Sequence, residues 1–160
     1  MKIGLALREL HRSESDLAHD LLKVAARHEV DHEIFHVGRD VARWSQHHVR
    51  EIAEIAHRYG EDLDPEVRGE PAPVVRLLEK GSELVGRRPV SDLLKLRDLR
   101  ELAMRAFGVS TEWEMVAQAA QGLPDTDLLA VCQRCHPETL RQMKWANAQI
   151  KQSATQALLS

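Results

Sequence analysis

The stretch IGLALRELHRSESDLAHDLLKVAARH, residues 3–28, decides the fold of this 160-residue chain. Its apolar residues recur at alternating steps of four and three, which is the spacing of one buried helical face. That face reads Ile3, Leu7, Leu10, Glu14, Leu17, Leu21, Val24 and His28. Glu14 therefore interrupts a stripe that is otherwise apolar. A buried carboxylate is costly without a partner, so we predict that a cation or hydrogen-bond donors meet it.

The next stretch repeats the pattern and places a histidine in the buried stripe. Asp31 is a suitable N-cap and Gly60 a suitable C-cap for this second helix. If the turn between the helices lies near residue 30, Glu14 and His48 differ by only about 3–5 Å in height. The two side chains are therefore predicted to face each other and either to pair or to hold a metal. The second stripe reads Ile34, Val37, Val41, Trp44, His48, Ile52, Ile55 and Tyr59.

Two further long helices are predicted after an acidic, Gly- and Pro-containing connection over residues 61–89, which carries a short helix over residues 74–85. The third begins at Ser91 or Asp92 and ends near Gln121. The fourth runs from Asp125 to the C-terminus, with a kink or restart at His136-Pro137. Pairs of alternating charge are predicted to be solvated helix faces. These pairs are Arg97-Asp98, Arg100-Glu101 and Glu79-Lys80, and the third buried stripe reads Leu96, Leu99, Ala103, Ala106, Ser110, Trp113, Ala117 and Ala120.

The element order predicts an all-α fold, a ferritin-like four-helix bundle with a long crossover connection between helices 2 and 3. Residues 1–160 form one domain, with helical hairpins over 1–60 and 90–160 and the crossover over 61–89. The second helix is about 42 Å long, a distance that the connection is long enough to cross. Composition agrees, because 43% of residues are hydrophobic and only 4% aromatic, which is typical of a Leu- and Ala-rich bundle core.

Composition also excludes several classes of protein. The formal charge is −3 and no basic block occurs, so nucleic acid is not expected as a partner. No stretch of about 18 apolar residues is present, so no membrane span is expected. Two cysteines three positions apart cannot form a disulfide framework, and the first residues lack the pattern of a signal peptide. We therefore predict a cytoplasmic protein.

The first half resembles the ferritin-like superfamily, and more loosely its small, stress-associated bacterial members. The resemblance covers residues 7–60 and rests on Ser13-Glu14-Ser15-Asp16-Leu17, on Leu22-Lys23-Val24-Ala25, and on a helix that contains His48 and closes at Gly60.

Members with a di-iron site carry Glu on helices 1 and 3 and Glu-x-x-His on helices 2 and 4. Glu14 matches the first position, and His48 can match the histidine of the second helix. Ser45 and Gln133 stand three residues before His48 and His136, where the pattern has Glu. A single-metal, a rearranged and an abandoned site therefore remain open.

The resemblance implies a mid-bundle site for iron or another transition metal, centred on Glu14 and His48. Glu112, Glu114 and His136 are further candidate ligands near the same level. With two irons bound, the resemblance implies oxygen or peroxide chemistry, but the absent carboxylates leave enzymatic activity undecided. The alternative is a metal-free helical module that acts by self-association, as a homodimer, or by docking a protein partner. If Glu14 is merely paired, Glu14→Leu completes an apolar stripe and is expected to stabilise by about 1–3 kcal/mol.

Two short motifs point to other chemistry. His32-Glu33-Ile34-Phe35-His36 has the spacing of a zinc-protease helix, although here it falls at a helix start expected to be solvated. Cys132-Gln133-Arg134-Cys135-His136 has the pattern of c-type haem attachment, which makes a haem electron carrier a third hypothesis. The simpler interpretation is two small thiols buried in the core.

Overall fold

The computed structural model describes residues 2–67 and 88–159. Within these ranges lie four α-helices and no strand, so the predicted all-α class is confirmed. The predicted short helix over residues 74–85 and the pair Glu79-Lys80 lie outside the described residues. In the described part of the chain, no helix is long and apolar enough to cross a membrane. The helices are α1 (Ile3–Arg27), α2 (His32–Ala56), α3 (Arg88–Gly122) and α4 (Thr126–Leu159), with a 3-10 turn over His57–Tyr59.

The four helices form a bundle in which α1 and α4 each pack against both α2 and α3. Side chains of α1 and α3 pair Arg27 with Asp98 and Ser13 with Glu112, so these two helices are antiparallel. Since α1 and α2 are antiparallel as well, α2 and α3 run in the same direction. The end of α2 therefore lies beside the start of α1, whereas the start of α3 lies near the end of α1.

The predicted buried stripes form the core. On α1, Leu7, Leu10, Leu17 and Leu21 are at most 1% exposed, and each such side chain contributes about 1.5–3 kcal/mol by leaving water. The other three helices add the remaining buried apolar residues. These include Ile34, Val41, Ile52, Leu99, Leu102, Ala106, Val109, Trp113, Val116, Leu128, Val131 and Ala146.

The N-cap of α2 agrees with the sequence, but the C-cap of α2 is His57, and Gly60 caps the 3-10 turn that follows. The Asp31 carboxylate accepts a hydrogen bond from the Ile34 amide at 3.2 Å, and Gly60 adopts a left-handed φ of 79° after the 3-10 turn. Of the kink or restart predicted at His136-Pro137, the restart is wrong, because α4 continues through Pro137. Pro137 lies on the exposed side of α4 while Cys135 and Thr139 are buried. Proline inside a helix removes one backbone hydrogen bond, which costs about 3 kcal/mol. The core packing of the residues before and after Pro137 outweighs this cost.

The prediction that Asp98 is solvated is also wrong. Asp98 is 6% exposed, whereas its neighbours Arg97 and Arg100 are exposed as expected. Nη1 of Arg27 donates to both oxygens of Asp98, at 3.1 and 2.9 Å, and Nε2 of His28 lies 2.9 Å from Oδ2. Burial alone would raise the pKa of Asp98, but the His28 hydrogen bond and the Arg27 charge hold it below its ordinary value.

Candidate functional site

Glu14 lies at the centre of the bundle and receives one hydrogen bond from each of the other three helices. Its side chain is 0% exposed. Its Oε1 accepts hydrogen bonds from Nδ1 of His48 at 2.8 Å, Nε1 of Trp113 at 2.7 Å and Oγ1 of Thr139 at 3.1 Å. The predicted meeting of Glu14 with His48 is confirmed. With Glu138, described next, these residues form what we call the Glu14 network.

His48 bridges two carboxylates. Its Nε2 lies 2.8 Å from Oε2 of Glu138, and the Trp113 indole packs edge-on against the imidazole at a centroid distance of 5.9 Å. Both ring nitrogens thus face carboxylate oxygens, which accept but do not donate. Each nitrogen must carry a proton to donate to a carboxylate, so this geometry suits the protonated form of His48.

The electrostatics of the pair support this charge state. Burial opposes the charged form of both groups. For His48, the charge of Glu14 and the hydrogen bonds to Glu14 and Glu138 outweigh burial, and the pKa is raised. For Glu14, the charge and hydrogen bond of His48, with the hydrogen bond from Trp113, lower the pKa. Mutual charge stabilisation therefore wins over desolvation.

One carboxylate oxygen of Glu14 and one of Glu112 accept no hydrogen bond from the described residues. Oε2 of each carboxylate is buried and has no hydrogen-bond partner among the described residues. Oε1 of Glu112 accepts a hydrogen bond from Oγ of Ser13 at 3.0 Å. Burial, together with the nearby charges of Glu9 and Glu14, raises the pKa of Glu112. Glu112 therefore lies near the Glu14 network without a hydrogen bond to it.

The other two predicted ligands lie elsewhere. His136 shares a 2.8 Å hydrogen bond between its Nε2 and Oγ of Ser110. The Glu114 side chain is 62% exposed and comes only within 3.9 Å of His136. Of the five candidate ligands, the structure therefore brings Glu14 and His48 into direct contact, and places Glu112 next to them.

The sequence interpretation did not assign Glu138 and Thr139 to the site. A helix restart at Pro137 breaks the register of α4, so positions beyond it cannot be assigned to a face. Followed as one helix, the buried positions Cys135, Thr139 and Gln142 form a regular stripe, and Glu138 lies beside it. The signal was present in the three-and-four spacing and was hidden by the proline.

A two-metal site fits these residues poorly. The third helix offers Glu112 beside this level, but its inward position is Trp113, whose indole N–H donates and cannot bind a metal. Ser45 takes the place of a second carboxylate on α2, and accepts a 2.8 Å hydrogen bond from Nε2 of Gln142. Among the residues described, no group of three or more His, Cys, Asp or Glu side chains is placed to hold a metal ion.

The two motifs with other chemistry have structural explanations. His32 and His36 are exposed on the first turns of α2, as expected for a solvated helix start. Cys132 and Cys135 belong to the core at 2% and 1% exposure. Burial raises the pKa of Cys132 to about 11 and raises that of Cys135 as well. Both thiols are therefore poor nucleophiles, consistent with a role in packing.

A second feature lies on the side of α3 that faces away from the core. Met104, Phe107 and Met115 are 61%, 63% and 59% exposed. Gly108 and Thr111 lie between them on the same exposed side, and we call these five residues the α3 outer face. An apolar groove of about 370 Å³ adjoins it, lined by Ala103, Met104, Phe107, Met143, Lys144 and Asn147.

Comparison of the chain with known protein families, with curated proteins and with solved structures gives no match. The features on which a function can rest are therefore the Glu14 network and the α3 outer face.

Proposed function

We propose that the protein is a metal-free helical module that acts by self-association, with the α3 outer face of one copy packing on that of a second copy. The observation that carries this proposal is the row of large apolar side chains, Met104, Phe107 and Met115, each more than half exposed. Single exposed apolar residues are ordinary, but several on one side of a helix are more typical of an interface. Met and Phe are also enriched at protein interfaces.

Gly108 favours another helix as the occupant of this face. A Cβ added to Gly108 would meet no atom within 4 Å, so nothing within the described chain requires a glycine there. Glycine inside a helix costs about 1 kcal/mol relative to alanine. A helix packing closely against α3 gives the missing reason, because the absent side chain lets two backbones approach. A second copy supplies such a helix with the same apolar face, in an interface of twofold symmetry.

The Glu14 network supports this role by specifying the packing of the bundle. It joins all four helices through one carboxylate oxygen, and buried polar networks of this kind favour a single arrangement over alternatives. Slippage or rotation of α3 would break the Trp113 hydrogen bond. We infer that the network fixes which side of α3 faces solvent.

We further propose a ferritin-like helix order and a cytoplasmic location. Because α2 and α3 run in the same direction, the end of α2 and the start of α3 lie at opposite ends of the bundle. This arrangement supports a long connection between the two helices. Two free, buried cysteines fit a reducing compartment.

Met104→Glu tests the proposed self-association. We expect the wild-type protein to sediment as a dimer and Met104→Glu to weaken the dimer by at least about tenfold, because a carboxylate would be buried at an apolar contact. Sedimentation equilibrium over a range of concentrations measures both states. Val30→Glu is the matched control, since Val30 is 85% exposed in the turn between α1 and α2 and is not part of the α3 outer face. A wild-type monomer, or a dimer that is equally tight in Met104→Glu, would contradict the proposal.

A transition-metal site is the second candidate function, and one specific observation favours it. Oε2 of Glu14 and Oε2 of Glu112 are buried carboxylate oxygens without hydrogen-bond partners in the described part of the chain. A cation bound to both would satisfy them, with His48 held next to it by Glu14. Iron or manganese would suit a carboxylate-rich set, and zinc a set that includes the imidazole.

Elemental analysis separates the two candidates. From protein purified without chelator or nickel resin, the metal-free proposal predicts only traces of iron, manganese and zinc. It also predicts no change in melting temperature when these metals are added. Stoichiometric metal that is lost in Glu112→Gln would instead support the metal site, because the amide retains the shape of the side chain but lacks its charge.

A further inference from the structure

The groove between α3 and α4 has an apolar floor that continues towards the start of α3. Met104 and Phe107 of α3 and Met143 of α4 line the groove itself. Leu93 and Leu96 lie eleven residues, or about three turns, before Met104 and Phe107, and therefore belong to the same side of α3. Leu93 is 52% exposed. From Leu93 to Phe107 the apolar floor extends for about 21 Å at 1.5 Å per residue.

The α4 edge of this groove is cationic. Residues 139–160 contain Arg141, Lys144 and Lys151 and no Asp or Glu. Lys144 lines the groove, and Lys151 follows it by seven residues, which is two turns along the same side of α4. Both lysines are exposed, and neither has an ion-pair partner among the described residues. Their ammonium groups are therefore available to the anions of a ligand.

The α3 edge is basic at the same level of the bundle. Arg100 and Arg97 lie four and seven residues before Met104, on the side of α3 that carries the groove. Since α3 and α4 are antiparallel and Ser110 contacts His136, residues 97–100 lie opposite residues 146–149, between Lys144 and Lys151. Arg100 also contacts Glu101 at 2.6 Å, but both side chains are more than half exposed, and such surface pairs are weak. Cations therefore border the apolar floor on both sides.

We propose that this groove binds an acidic amphipathic helix of a partner protein. The apolar stripe of that helix packs on Met104, Phe107 and Met143, and its carboxylates contact Lys144 and Lys151 on one edge and Arg97 on the other. Docking of an amphipathic helix in an apolar groove is a recurring mode of recognition, and flexible methionine side chains adapt to such a helix. A helix of about 14 residues matches the length of the floor.

The number and placement of the cations select this occupant over a small anionic amphiphile. A fatty acid carries one carboxylate and would satisfy one cation. An amphipathic helix can carry Glu or Asp on both sides of its apolar stripe at successive turns, about 5 Å apart. Its carboxylates can therefore reach both edges of the groove over the distance of about 10 Å that separates Lys144 from Lys151 along α4. Complementary charge on both edges also orients the partner.

This inference goes beyond self-association and does not rest on it. The groove and the α3 outer face share Met104 and Phe107, so one molecule cannot bind the helix and a second copy there at the same time. Lys144 and Lys151 lie on α4 and belong to the groove alone. Substitutions at the two lysines therefore test helix binding separately.

A synthetic peptide provides the test. The probe is a fluorescein-labelled helix of about 15 residues with Leu along one stripe and Glu on both edges of it. A second peptide has Lys in place of every Glu. Measured by fluorescence anisotropy, the Glu peptide should bind at least about tenfold more tightly than the Lys peptide, and its binding should weaken as salt is added.

The double variant Lys144→Glu/Lys151→Glu should weaken binding of the Glu peptide at least about tenfold, because two attractions become two repulsions. It should also bind the Lys peptide more tightly than the wild type does, a gain that loss of folding cannot produce. Arg12→Glu is the matched control, since Arg12 is an exposed cation of α1 whose partner is Glu9. This control should change the affinity for the Glu peptide less than twofold.

Three results would overturn the proposal: no binding of the Glu peptide up to about 1 mM, equal binding of the two peptides, or a double variant that binds like the wild type. Binding to phosphatidylglycerol vesicles without binding to the peptide would identify a lipid surface as the occupant and would overturn it as well. A wild-type monomer that binds the peptide would contradict self-association alone. A wild-type dimer that does not bind the peptide would contradict only the helix-binding groove.

Discussion

Glu14→Leu is expected to lower the free energy of unfolding by about 3–5 kcal/mol. The apolar stripe of α1 by itself predicts the opposite, because leucine completes it between Leu10 and Leu17. The contacts of Glu14 in the structure predict a loss of stability instead of a gain. Glu14 accepts hydrogen bonds from Trp113 and Thr139 as well as from His48, and all three donors are buried. Leucine would leave two neutral donors and a cationic ring without their acceptor, and each unsatisfied group carries a desolvation cost.

Urea denaturation of the wild type and the variant measures this loss. Thr139→Val is the matched control, because it removes one of the three donors and retains the volume. We expect it to cost only about 1 kcal/mol, the net value of a single hydrogen bond. If Glu14→Leu were as stable as the wild type or more stable, the three hydrogen bonds would contribute nothing net, and the simple apolar-stripe argument would be correct.

The pH dependence of stability provides a second test of the same pair. The raised pKa of His48 contributes stability that is fully present below the ordinary value of 6.5 and is lost as pH rises through the raised pKa. The lowered pKa of Glu14 contributes stability above its ordinary value of 4.5, which is lost as pH falls through the lowered pKa. The contribution of the pair is therefore greatest between pH 4.5 and 6.5. In Glu14→Leu the decline above pH 6.5 should be smaller.

The sequence predicts the helices and the meeting of Glu14 with His48 because both follow from helical periodicity alone. Four-and-three spacing identifies the buried face, and the rise per residue gives the height of each side chain above a turn. The donors from α3 and α4 depend on how each helix is rotated about its own axis. A rotation by a fraction of a turn decides whether Trp113 reaches Glu14, and the sequence does not specify that angle.

The α3 outer face shows a second feature that helical periodicity alone does not predict. A helix with one apolar stripe has one obvious buried side, but α3 carries apolar residues both inward, such as Leu102 and Val109, and outward, such as Met104 and Phe107. Its buried stripe was found because Leu96 and Leu99 begin it clearly. The outward residues were recognisable only once the position of α4 showed which side of α3 remains uncovered.

Asp98→Ala is expected to lower the free energy of unfolding by about 3–4 kcal/mol, because it removes the shared partner of the Arg27 guanidinium and the buried His28 ring. The Arg27 side chain is 17% exposed and that of His28 only 5%. The alternation of charged residues in Arg97-Asp98 and Arg100-Glu101 predicts that Asp98 lies on a solvated helix face. That assignment ignored the turn after α1, which brings Arg27 and His28 to the level of Asp98 from a neighbouring helix.

Glu101→Ala is the matched control for Asp98→Ala, because Glu101 is a carboxylate on the same helix whose partner, Arg100, lies on the surface. A surface pair of this kind contributes less than about 1 kcal/mol, so the control should unfold close to the wild type. Because the pKa of Asp98 is lowered, its contribution is present above the ordinary value of 3.8 and is lost as pH falls through the lowered pKa. The difference in the free energy of unfolding between Asp98→Ala and the wild type should therefore shrink as the pH is lowered. A difference that stays constant down to strongly acidic pH would show that Asp98 stabilises α3 by packing rather than by charge.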